Sequence, residues 1–165
     1  MLVLLTLLSS AMLTAAPATS PECPLAQPVG FKKGSLTIAQ GSRVVRLQVE
    51  VADTPAARAQ GLMCRTRLDA NAGMLFLFDE ISRGSFWMKN TLIPLSIAFM
   101  DGSWEIVDIL DMDVEEDPAR PRAYYSPKNP YRYALEVNQG FFARNRITAR
   151  NRNTAGAKVT YRPER

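Results

Sequence analysis

Two short apolar stretches around an Asp-Gly pair constrain the fold of this chain more than any other feature. They cover residues 95–100 and 104–110, and Asp101 and Gly102 lie between them. Both stretches have the length of strands, and an Asp-Gly pair supplies the positive φ angles that a tight two-residue turn requires. The sequence therefore predicts a β-hairpin over residues 95–110.

Residues 43–51 carry a second strand signal, because valine or leucine alternates there with polar residues. A period of two is typical of a strand that is half buried against a core. A short helix should follow, since Asp53 or Thr54 can cap its start, Pro55 fits its first turn and Gly61 can end it. A helical turn is predicted at 141–146, and further strands at 73–78, 85–89, 132–137 and 157–162.

Short strands with tight turns and one or two short helices predict a mainly β fold, either a small β-sandwich or a partly closed barrel. The 165 residues leave room for one domain, which we place at residues 35–165. Residues 111–130 are rich in acidic residues, proline and tyrosine and have no core period. That composition favours a long surface loop.

The N-terminal residues 1–18 have the pattern of a signal peptide, with an apolar run that ends in small residues. A membrane anchor is the alternative, but spanning takes about 20 apolar residues and Pro17 ends the run early. We therefore expect an exported protein, periplasmic or extracellular, that meets a membrane only through an uncleaved leader. Residues 19–34 are expected to form a flexible linker, and Cys23 and Cys64 either pair in a disulfide or stay unpaired.

The composition excludes several classes of chemistry. There is no histidine, which removes the commonest general base and the commonest transition-metal ligand. The net charge is +4, and the basic segment after residue 144 lacks the interleaved aromatic residues of a nucleic-acid surface. We therefore expect no cofactor and no nucleic-acid partner.

Four motifs resemble those of one protein family. They are GLMCR at 61–65, GMLFLF at 73–78, FWMKNTLIPL at 86–95 and LEVNQG at 135–140. Together they resemble the bacterial and archaeal domain of unknown function 192 family, from about Val49 to Gly140. The resemblance implies a small β-sandwich-like domain, usually behind a signal or anchor, with no established activity and no catalytic residues to carry over. The chain departs from the pattern at Ser96, where an acidic residue is usual, and at Cys64, where an aromatic residue is more common.

Trp87 and Lys89 share one side of the 85–89 segment, opposite Phe86 and Met88. An indole beside an ammonium group could hold a sugar ring or an anionic ligand. The alternative is a tryptophan that packs over the sheet while Lys89 lies alongside it or pairs with an acid. Both interpretations stay open.

Glu136 stands in an apolar strand sequence, where we expect it to be buried against Arg65 or Lys89. Such a pair can mark an active site or serve as a structural bridge, and the sequence favours the bridge. Asn90 fits a turn before Pro94.

We predict non-catalytic binding of a small polar ligand, an envelope polymer or a partner protein. The candidate binding residues are Arg65, Trp87, Lys89, Asn90 and Glu136. One alternative is an enzyme acting on carbohydrate or peptidoglycan through Glu136, which would need a second carboxylate. Another is Cu(I) binding by Met63, Met74 and Met88, against their use as ordinary core residues. Calcium binding by the acidic run is less favoured than a solvated loop, since the glycine of a hand-type loop is absent.

Overall fold

The computed structural model describes residues 29–164. Within this range the chain forms seven strands and two short helices. In chain order they are β1 (Lys32–Gln40), β2 (Arg43–Ala52), α1 (Pro55–Gln60), β3 (Ala72–Ser82), β4 (Leu95–Met100), β5 (Ile106–Met112), β6 (Tyr131–Asn138), α2 (Phe141–Arg144) and β7 (Lys158–Pro163). Neither described helix is long and apolar enough to cross a membrane.

The strands form one sheet in the order β5-β4-β6-β3-β2-β1-β7. Every neighbouring pair is antiparallel except β2 and β3, which are parallel. The two edges of the sheet approach each other, because Glu105 and Lys158 form an isolated bridge and the Ile106 N–H donates to the Ala157 carbonyl. No continuous ladder closes the described sheet, which is therefore a partly closed barrel. The predicted mainly β fold class is confirmed.

Apolar side chains pack on both faces of this sheet. An inner cluster draws residues from all seven strands and includes Phe141 and Phe142 of α2. An outer cluster lies over β3, β4 and β6 and includes Ala57 of α1 and Met88. Because successive side chains of a strand point to opposite faces, Leu75 belongs to the inner cluster and its neighbour Phe76 to the outer one.

The elements with the strongest local signals form as predicted. In β2, Leu47, Val49 and Val51 are buried on the inner face. Helix α1 begins after Thr54, whose hydroxyl accepts a 3.1 Å hydrogen bond from the Ala57 N–H, and ends at Gly61 with φ of 50°. Both ends therefore follow from capping chemistry that is visible in the sequence.

The β4–β5 hairpin forms, but the predicted two-residue turn is wrong. The strands are joined by the five residues 101–105, and the residue with positive φ is Trp104 rather than Gly102. The Asp101 carboxylate accepts hydrogen bonds from the N–H groups of Ser103 and Glu105 at 2.9 and 3.1 Å. The Trp104 ring stacks on Tyr133 with 3.8 Å between centroids, which holds the longer loop against the sheet.

Two other parts of the chain differ from expectation. Residues 85–89 do not form a strand, and only Phe86 pairs, through an isolated bridge to Tyr125. Strand β1 was not predicted, and it begins at Lys32, so the expected domain start near residue 35 falls inside it. Residues 1–28, with the expected signal peptide, Cys23 and most of the expected linker, lie outside the described residues, and the disulfide stays a prediction.

Glu105 joins the two edges of the barrel. Its carboxylate accepts hydrogen bonds from the Gly156 N–H at 2.8 Å and from Lys158 Nζ at 3.1 Å, and Arg150 lies 3.5 Å away. The Gly156 N–H, and then Lys158, hold the pKa of Glu105 below its ordinary value of 4.5. Because the folded-state pKa is lowered, this stabilisation is present above about pH 4.5 and is lost as the pH falls through the folded-state value.

We expect Glu105→Gln to lower the free energy of unfolding at pH 7 by about 1 to 2 kcal/mol, since charge-assisted hydrogen bonds become neutral ones. Urea unfolding at pH 7 and pH 3 measures the effect, which should shrink at the lower pH. Glu116→Gln, at an exposed position, is the control. A loss of equal size at both pH values would contradict this role of the Glu105 charge.

Candidate functional site

A cavity of about 290 Å³ opens on the outer face of the sheet. It lies between α1, the strands β3 and β6, and the segment 82–91 that follows β3. Its lining combines aromatic, cationic and acidic side chains, among them Arg58, Met63, Phe76, Phe78, Phe86, Trp87, Lys89, Thr91, Tyr131 and Glu136. Three of the five predicted binding residues, Trp87, Lys89 and Glu136, therefore line the same cavity.

Aromatic rings form the walls of the cavity. Phe76 and Phe78 are two residues apart on β3 and so point to the same outer face. The Phe86 ring contacts Phe76 edge-on with centroids 5.1 Å apart, and Tyr131 contacts Phe78 in the same way at 5.4 Å. Ala134 of β6 lies opposite Phe76 in the strand register, and its small side chain leaves space beside the ring.

Glu136 is the buried acidic residue among the described residues that line this cavity, with 5% of the residue exposed. In the strand register it lies between Met74 of β3 and Ile97 of β4, both fully buried. Within residues 29–164 its carboxyl group has no hydrogen-bond partner and no ion pair. Every described side-chain oxygen or nitrogen that is closed off from solvent has a hydrogen-bond partner. Because the Glu136 carboxyl group has none, it must be open to the cavity.

Loss of hydration on burial raises the pKa of Glu136 from 4.5 to about 8. The group therefore keeps its proton at neutral pH. In that form it can donate one hydrogen bond as well as accept others. A neutral carboxylic acid in an aromatic cavity can both donate and accept a hydrogen bond there.

Trp87 and Lys89 border the same cavity from the loop after β3. Trp87 is 43% exposed, and its ring lies 6.3 Å from that of Tyr124. Lys89 places Nζ 5.5 Å from the centre of the Trp87 ring, a cation–π contact. Met88, between them, is fully buried in the outer cluster, so the two sides of this segment differ as the alternation predicts.

Arg58 of α1 brings a second cation to the cavity, which the sequence analysis missed. Its Nη1 donates a 2.8 Å hydrogen bond to the Leu77 carbonyl, and its guanidinium carbon lies 5.0 Å from the centre of the Phe78 ring. Phe76, Phe78, Phe86 and Tyr131 were missed as well. The spacing of Phe76 and Phe78 signals a shared face, but a strand that is apolar on both faces does not reveal which face borders a cavity.

Two predicted binding residues lie elsewhere. Arg65 pairs with Glu50 at 2.6 Å beside a separate groove, so the expected pairing of Glu136 with Arg65 or Lys89 does not form. Asn90 is a turn residue with φ of 51°. Its N–H donates to the Pro118 carbonyl at 2.7 Å and its own carbonyl accepts from the Cys64 N–H at 2.8 Å.

The three methionines of the Cu(I) alternative have different surroundings. Met74 and Met88 are fully buried in the outer cluster, and Met63 lines the cavity. Copper binding stays a prediction, and the burial of two of the three fits their packing role. In the described part of the chain, no three histidine, cysteine or acidic residues are grouped so as to hold a metal ion.

Comparison with known proteins supports the family resemblance that the sequence motifs indicate. The model of the DUF192 family, described as uncharacterized ACR, matches residues 36–153. A crystal structure of a putative transcription regulator from Sinorhizobium meliloti is similar, with 29% identity and a TM-score of 0.71, covering 82% of this chain and 98% of that one. A protein of unknown function from Novosphingobium aromaticivorans has 31% identity and a TM-score of 0.69, covering 88% and 98%. No curated protein matches the chain. The chain belongs to the DUF192 family.

Proposed function

We propose that the cavity on the outer face binds a small ligand and that this domain is a binding module. The observation that carries the proposal is Glu136, a buried carboxyl group that faces a cavity and lacks a partner among the described residues. Burying an unpaired polar group costs free energy, about 1 to 3 kcal/mol in proteins. A ligand that hydrogen-bonds to Glu136 would offset that cost.

The size of the cavity favours a small molecule over a polymer. A volume of about 290 Å³ is at the lower end of small-molecule sites. An envelope polymer or a partner protein could contact the exposed rings of Trp87 and Tyr124 at the surface, but could not enter as a whole. The export of this domain, inferred from residues 1–18, is a separate proposal that rests on the sequence.

Hydrolysis of carbohydrate is the weaker alternative. Glycosidases use two carboxyl groups, roughly 5 to 10 Å apart, on either side of the bond that they cleave. Glu136 is the one acidic residue among the described groups that line this cavity. The geometry therefore supports binding better than acid catalysis.

We expect a fragment screen on the full chain to yield compounds that raise the melting temperature. A ligand at a hundredfold excess over its Kd adds about 2.7 kcal/mol, or roughly 8 °C for a domain of this size. The shift should disappear in Glu136→Leu and shrink in Trp87→Ala. It should persist in the control Glu80→Leu, at an exposed position of β3.

Compounds that raise the melting temperature of wild type and of both cavity variants equally would bind elsewhere, and they would count against the proposed site. A screen without any compound that depends on Glu136 would overturn the proposal.

A further inference from the structure

We infer that the ligand is a small organic anion with an apolar body, which places its anionic group at Lys89 and a hydrogen-bond acceptor at Glu136. This inference rests on the proposed function and specifies its ligand class. It follows from three features of the cavity, namely its charge, its walls and the position of its carboxyl group.

The charged groups of the cavity favour an anion. Lys89 and Arg58 both line it, and neither forms an ion pair with a described carboxylate. Lys89 is held over the Trp87 ring and Arg58 over the Phe78 ring, so both cations are already ordered by aromatic faces. With Glu136 protonated, the site carries a net positive charge and would repel an ammonium group.

The aromatic walls of the cavity determine the chemistry of the central part of the ligand. Phe76, Phe78 and Phe86 enclose the space with edge-to-face contacts and offer no hydrogen-bonding group. An aromatic or compact aliphatic body fits such walls, because burial removes its apolar surface from water. The Tyr131 hydroxyl is already engaged, since it donates to the Gly84 carbonyl at 3.0 Å.

The buried end of the ligand meets Glu136. A protonated carboxyl group donates to a carbonyl or ether oxygen, whereas its ionised form can only accept. The other ionisable groups that line the cavity are Arg58 from α1, Lys89 from the loop after β3, and Tyr131 from β6. Ionisation of Glu136 above about pH 8 removes the donor and adds a negative charge near the ligand, so affinity for an anion should fall there.

Three matched probes test this assignment by calorimetry on the full chain. They are 4-acetylbenzoate, an anion with an acceptor; 4-isopropylbenzoate, an anion without one; and 4-acetylbenzylamine, a cation with the same acceptor. We expect 4-acetylbenzoate to bind at least tenfold more tightly than the amine and at least threefold more tightly than the isopropyl compound. Lys89→Gln should weaken its binding about tenfold, and the matched control Lys128→Gln, at an exposed position, should not.

The pH dependence separates Glu136 from the other groups. In wild type, the affinity for 4-acetylbenzoate should fall at least tenfold between pH 7 and pH 9.5. In Glu136→Gln, which keeps a neutral donor, binding should stay within threefold of wild type at pH 7 and change little up to pH 9.5. An equal fall in this variant would assign the pH dependence to another group and overturn the role given to Glu136.

The inference is overturned if the amine binds most tightly, if Lys89→Gln has no effect, or if none of the probes binds at millimolar concentration. When one of these results accompanies fragments that depend on Glu136 in the screen above, the cavity is a binding site for another ligand class. When no fragment depends on Glu136, the proposed function fails as well.

Discussion

Glu136→Gln is expected to raise the free energy of unfolding by about 3 to 5 kcal/mol at pH 9 and to change it little at pH 4. Glu136 is 5% exposed, and the loss of hydration of its carboxyl group raises its pKa to about 8. Glutamine has nearly the same shape and is neutral at every pH. The variant therefore removes the cost of a buried ionisable group and keeps the packing around it.

The sign follows from proton binding. Between about pH 4.5 and pH 8 the folded chain holds a proton at Glu136 that the unfolded chain has released. Stability must therefore decrease as the pH rises through this window, and above pH 8 the cost stays constant. Urea unfolding of wild type and variant at pH 4, 6, 7.5 and 9 measures the difference.

Glu80→Gln, at an exposed position of β3, is the matched control and should leave the wild-type pH dependence unchanged. Parallel stability curves for wild type and Glu136→Gln would show that the carboxyl group is solvated or paired in the folded protein. That result would also remove the main support for the ligand site.

Gly156→Ala should destabilise the fold by about 3 kcal/mol or more. A Cβ atom at this position would lie 2.1 Å from the Ile106 carbonyl oxygen and 2.7 Å from the Arg150 nitrogen. Both are backbone atoms, so no side-chain rotation relieves the overlap. The Gly156 N–H also donates to Glu105, and displacement of this segment would break the link between the two edges of the barrel.

Gly102→Ala is the control for the same chemical change, because no atom lies within 4 Å of the Cβ position at Gly102. Its effect on the urea midpoint should correspond to about 0.5 kcal/mol or less. Equal destabilisation by the two substitutions would mean that the barrel edges do not meet at Gly156.

Local sequence predicted the elements whose formation depends on neighbouring residues. The alternation in β2, the capping of α1 by Thr54 and its end at Gly61 each involve groups within a few residues of one another. Strand β1 was missed because only Leu36 and Ile38 supply large apolar side chains to its alternating pattern, and two lysines precede them. It forms because β2 pairs with one of its sides and β7, more than a hundred residues away, with the other.

The residues that line the cavity also divide into those that the sequence predicted and those that it did not. The sequence named Trp87, Lys89 and Glu136 as candidates, since an indole, an ammonium group and an acid in an apolar strand are recognisable from residue type, and the structure places all three at one cavity. It did not identify Arg58 as their neighbour, nor could it separate Arg65 from them. The position of Glu136 beside Trp87 and Lys89 depends on β6 inserting between β3 and β4, which brings residues about 33 to 64 positions apart into register. The alternation of side chains and helix capping involve residues close together in the chain, so both can be predicted from the sequence. The cavity arises from pairing between strands that long loops separate, and only the tertiary structure specifies those pairings.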